Sequence, residues 1–169
     1  MTQGAFEPLL GVDRYTDAGR LRADDLAVRS WAAEQLARAA QRIGEAVVDY
    51  QRVILPPSSR EQPFPPPELK LPMDTGRRCQ QRYTAAADRL RNAPFPPDPK
   101  KAWKRLRGPG SAQLLELDRV LHRQAEYAAA VVAGVTAPTL RELPVAEAES
   151  ALADLTATLD ERLSYLNGL

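Results

Sequence analysis

The single histidine, His122, lies four residues after Asp118 and four before Glu126, so on a helix all three share one face. Such a trio could hold a metal, or act as an acid/base whose pKa the carboxylates tune. The plainer reading is an exposed histidine in ordinary surface ion pairs, like its neighbours Arg119 and Arg123. Di-iron bundles need Glu-x-x-His pairs on two helices, and no Glu stands three residues before His122. One histidine and one cysteine exclude multi-histidine zinc centres, cysteine-only metal sites and an internal disulfide framework. Cys79 shares a helical face with Tyr83, Ala86 and Leu90, which makes it a core residue rather than a nucleophile. The stretch Asp13–Asp25 resembles a calcium loop only loosely, because registering Gly19 at the turn puts Arg14 at the first ligand position. There is no phosphate-cradling glycine loop and no G-x-S-x-G nucleophile turn. The expectation is a non-enzymatic protein with no cofactor and no metal.

The second group of reactive side chains is basic. In KKAWKRLR, Lys100, Lys101, Lys104, Arg105 and Arg107 surround Trp103 and Leu106. A cluster of cations with an aromatic could grip phosphates and stack a base, or lie on an anionic membrane. The whole chain carries 23 basic and 22 acidic side chains, so this is a local feature. Residues 60–107 hold 12 basic and 5 acidic side chains, whereas residues 141–169 hold 2 basic and 6 acidic. A basic loop that complements the acidic last helix, within or between subunits, is therefore the competing reading.

Prolines set the elements that must position these groups, since proline breaks a helix interior at a cost of about 3 kcal/mol. Seven of the fifteen fall in 56–72 and four in 94–99, while 9–55, 73–93, 110–137 and 145–169 hold none. Each proline-free block has helical periodicity. In the first, Leu26, Ala33, Ala40, Val47 and Ile54 recur every seven residues, with Leu36, Ile43 and Tyr50 at the second core position and Arg29 as the exception. This predicts one helix from about Asp24 to Leu55, about 48 Å long. Asp24 and Asp25 suit its positive end. Shorter helices are predicted near Thr75–Asn92, where about 27 Å is expected, from Ser111, and from Pro144 to a terminator at Gly168. A short hairpin or a turn is expected in Tyr15–Leu21, given Asp17 and Gly19.

Amphipathic helices of this kind must share a core. The fold expected is all-α, an antiparallel four-helix bundle with one long N-terminal helix, an arm at 1–23 and a bundle domain at 24–169. Phe6, Leu9, Leu10, Val12 and Tyr15 make the arm apolar enough to pack against something. PFPPPE (63–68) and PFPPDP (94–99) form a rough repeat, read as extended straps at 56–72 and 94–110 with Phe64 and Phe95 pinned into grooves. Both straps loosely match the ligands of proline-binding adaptor domains. The unequal helix lengths predict uncovered apolar surface, and hence a protein partner or homo-oligomer docking through Phe64, Phe95 and the basic loop. Nucleic-acid binding through Lys100, Lys101, Trp103, Lys104, Arg105 and Arg107 is the alternative. The longest uncharged run, Tyr127–Leu140, is 14 residues, short of the roughly 20 that span a bilayer. No basic stretch followed by an apolar run opens the chain, and the 19 arginines against 4 lysines suit a GC-rich bacterial genome. A cytoplasmic location is expected.

Overall fold

The computed structural model describes residues 14–57, 60 and 64–168. These residues are all-α, with no strand among them: α1 Leu21–Val53, α2 Pro67–Asn92, α3 Pro99–Leu106, α4 Pro109–Val131 and α5 Val145–Asn167, plus a 3-10 turn at Leu140–Glu142. Among the described residues, no helix is long and apolar enough to cross a membrane.

Prolines mark the helix starts. Pro67, Pro99 and Pro109 each sit in a first turn, where the missing N–H is no loss. Pro66 and Ala93, each followed by proline, are extended and bound α2. At the end of α5, Gly168 turns left-handed at φ 76° and donates its N–H to Ser164 O at 2.8 Å.

Two expectations need correction here. The 56–72 segment is not a strap throughout, because α2 already begins at Pro67 and carries the buried Pro72 inside it. Its helix signal lay hidden beneath a proline whose interior penalty the packing offsets. Residues 99–106, read as loop, are helical: Asp98 caps α3 by accepting the Lys101 N–H at 3.0 Å. With 33 residues in α1 and 26 in α2, the two span about 50 and 39 Å, so the length mismatch is about halved.

The main packing partners are α1 with α2, α4 with α5, α1 with α4, and α2 with α5. Near the start of α1, Arg29 donates to the Leu90 and Arg91 carbonyls at the end of α2. Near the end of α1, Gln51 accepts from Arg77 of α2. One apolar core runs along the four long helices, from Val28, Leu36 and Ile43 to Tyr83, Leu121 and Leu155. Leu26, assigned to the repeating core row, is instead 50% exposed. A second, smaller core joins Tyr15, Leu21, Ala102, Leu106, Leu114 and Leu166. Residues 14–20 form the expected turn, closed by Arg20 N–H donating to Asp17 O. Tyr15 of that turn is buried, whereas Phe6, Leu9, Leu10 and Val12 lie outside the described residues. Helix α1 begins at Leu21, so the 23/24 arm boundary falls within it.

Candidate functional site

Between the two cores lies a buried layer of charge. On α1, Asp24, Asp25 and Arg29 interrupt the apolar run from Leu21 to Val28 and beyond. On α4, Asp118 stands between Leu114 and Leu121; on α5, Arg162 stands between Leu159 and Leu166. Arg162, at 0% exposure, donates from Nε to Asp118 Oδ1 at 2.6 Å, from Nη1 to Asp25 Oδ1 at 2.5 Å and from Nη2 to the Tyr15 hydroxyl at 3.0 Å. Tyr15 donates its hydroxyl to Asp118 Oδ2 at 2.6 Å and its N–H to Asp24 Oδ2 at 3.0 Å. Arg29 grips Asp25 Oδ2 from Nε and Nη2 at 2.9 and 2.7 Å, and Arg14 approaches Asp118 at 3.9 Å. Burial works against the Arg162 charge, but the Asp118, Tyr15 and Asp25 oxygens outweigh it and hold its pKa above the ordinary value. Burial likewise raises the Tyr15 phenol, so it stays a protonated donor. Tyr15 pays for this position with a left-handed backbone, φ 60°.

Sequence reasoning read Asp24 and Asp25 as helix-end charges and passed over Arg162 and Asp118 as members of a network. The usable signal was a charged residue set into the apolar stripe of each of three helices.

His122 is not the exposed histidine expected, being 8% exposed. Its ring meets Trp31 edge-on, centroids 3.9 Å apart, and its Nε2 is 3.8 Å from Glu126. Burial lowers its pKa below the ordinary value, with Glu126 opposing. Asp118 gives its oxygens to Arg162 and Tyr15, and among the described residues no group of three His, Cys, Asp or Glu could hold a metal ion. Cys79 is buried, and that burial pushes its thiol up to about 11.

The sequence-predicted docking residues divide between the two ends of the molecule. At the α3 end, Lys100, Lys101, Lys104 and Arg107 are exposed and form no ion pair among the described residues. Arg105 turns back to cap α5, donating to Tyr165 O at 3.1 Å and to Leu166 O. Trp103 and Phe95 are half-buried against the second core, and Arg22 lies over the Phe95 ring at 5.7 Å. Charge complementarity with the acidic last helix falls mainly to α2, through Arg82–Glu149 at 2.8 Å and Arg89–Asp160 at 2.6 Å.

Phe64 lies at the other end and is 80% exposed, so it is not pinned into a groove. Val48 and Val53, in the last turns of α1, and Leu71, near the start of α2, are 54%, 75% and 62% exposed. Beside them a hollow of about 560 Å³ is lined by Leu55, Pro56, Pro57, Pro65 and Met73 together with the polar Gln51, Arg52, Lys70 and Arg77. No family model, curated protein or solved structure matches this chain.

Proposed function

We propose that this all-α chain is a four-helix bundle of two antiparallel hairpins, α1–α2 and α4–α5, that serves as a non-enzymatic interaction protein. Its docking surface is the end where α1 hands over to α2. The observation that carries this reading is the set of large apolar side chains, Val48, Val53, Phe64 and Leu71, left more than half exposed at one end. In this reading the four form one patch, and a contiguous exposed apolar patch marks a surface that something covers. Extended proline backbone beside it adds apolar wall at low entropic cost. The occupant is a protein surface, either a partner or a second copy.

The test is Val53→Asp with Phe64→Asp, both positions being too exposed for either change to unfold the protein. Light scattering after gel filtration measures self-association, and affinity capture with mass spectrometry measures a partner. The reading requires one of these to be present in the wild type and lost in the double variant at unchanged melting temperature. A wild-type monomer whose captured proteins are indifferent to the double variant refutes it.

The exposed, ion-pair-free Lys100, Lys101, Lys104 and Arg107 support a second reading, a nucleic-acid-binding accessory protein using residues 100–107.

A further inference from the structure

We infer that the α3 end binds nucleic acid through the phosphate backbone alone, without stacking bases and without inserting into a membrane. The mode rests on the nucleic-acid reading of residues 100–107 and states how that surface would work.

Lys100 and Lys104 are one helical turn apart on α3 and share a face, with Arg107 just beyond its end and Lys101 beside them. All four are exposed. Arg22, exposed on α1, joins this surface by lying over Phe95, which packs on the same small core as α3. Five cations on one end of a chain with nearly balanced total charge form a compact phosphate-binding surface.

The apolar half of α3 decides between partners. Ala102 and Leu106 are 3% and 1% exposed, facing the second core, so α3 has no free apolar face to lay into a bilayer. Trp103 is half-buried with its indole N–H inside, and the Phe95 ring is covered by Arg22. Neither ring offers an open platform for a base, which removes the device that single-strand binders use. Charge is what remains. Arg105 is not one of the five, because its Nη2 is held by the carbonyls ending α5, although its charge still adds to the positive potential of this end.

The experiment is fluorescence anisotropy of the full chain with labelled duplexes of two unrelated sequences and with a labelled oligo-dT strand, across a salt series. Five phosphate contacts predict a log–log salt slope of about −4.5, which is about a 500-fold loss between 50 and 200 mM salt. Both duplexes should bind alike, and oligo-dT no tighter. Lys100→Gln with Lys104→Gln should flatten the slope by about 2, and Lys100→Glu with Lys104→Glu should weaken binding by about tenfold or more. Circular dichroism and melting temperature confirm that these exposed changes leave the fold intact. Absence of duplex binding at 50 mM salt, or affinity indifferent to the charge reversals, overturns the nucleic-acid reading itself. Tighter binding to oligo-dT, or a preference between the duplexes, leaves that reading standing and overturns the backbone-only mode. Binding to phosphatidylserine vesicles without binding to duplex overturns both in favour of a membrane.

Discussion

A guanidinium at 0% exposure needs acceptors close by, and each of the three nitrogens of Arg162 has one, on Asp118, Asp25 and Tyr15. Removing it leaves buried Asp118 with the Tyr15 hydroxyl and the more distant Arg14, and buried Asp25 with Arg29. Arg162→Met should therefore cost about 3–5 kcal/mol in urea unfolding, the range for breaking one side of a buried pair. Arg82→Met, which loses only the exposed pair with Glu149, should cost at most about 1 kcal/mol. Similar losses for the two variants would mean that the buried layer is not what holds these helices. His122 gives a pH signature of opposite chemistry. Burial lowers its pKa in the folded state below the ordinary 6.5, so the unfolded chain binds the proton first. Its contribution is complete above pH 6.5 and falls as the pH drops through that value toward the folded pKa. Trp31, Glu126 and Arg123 surround it, and Glu126 only partly offsets the burial. His122→Gln should remove this part of the slope in melting temperature between pH 7 and 5, and an unchanged slope would assign the acid sensitivity to other groups.

Two apolar cores with a layer of charge between them make α3 a separable cap at the level of elements. Helix α3 is eight residues long and touches α1, α4 and α5, with its buried side chains all in the smaller core. Tyr15 ties that core to the ionic layer. Tyr15→Phe keeps the ring but deletes the bonds to Asp118 and Arg162, so amide exchange should quicken across Pro99–Leu106 while the middle of α1 and α2 stays protected. Uniform acceleration in all helices would show one cooperative unit instead. Gly76 marks a tight approach in the larger core: a Cβ there would lie 2.6 Å from Val47 Cγ2 and 3.1 Å from Leu140 Cδ1. Gly76→Ala should thus lose about 1–3 kcal/mol to overpacking, set against the roughly 1 kcal/mol that alanine gains in a helix interior, and equilibrium unfolding reads the balance. The sequence made the long helices legible because their apolar spacing is periodic and prolines bracket them. It hid α3, whose eight residues offer barely two turns of pattern, and the start of α2, where Pro72 reads as a breaker. Of the single charges inside apolar stripes, Arg29 alone stands out in the sequence as an exception. Their meaning lay in partners up to 147 residues away, which no local pattern records.

On the scale of the whole molecule, the two candidate surfaces are set apart along α1, whose 33 residues span about 50 Å. Among the described residues, four of the six large exposed apolar side chains stand where α1 leads into α2, and exposed cations gather where α3 closes the other end. Between them the flank is neutralised by pairs such as Arg82–Glu149 and Arg89–Asp160, exposed enough that salt screens them with little consequence for stability. A Debye length of about 8 Å at physiological salt is far shorter than the separation, so neither surface senses the other's charge through solvent. Coupling would have to pass through the helices themselves. The ionic layer lies between the basic end and the main core, and it is held by bonds that neither surface shares. The two activities should therefore separate cleanly by mutation. Val53→Asp with Phe64→Asp should abolish protein association while leaving duplex affinity and its salt slope unchanged, and Lys100→Glu with Lys104→Glu should do the reverse. Anisotropy and light scattering on the same preparations provide the measurement. Loss of both activities in either double variant would mean a single continuous interface, or a second copy docking end to end with apolar and basic surfaces in one contact.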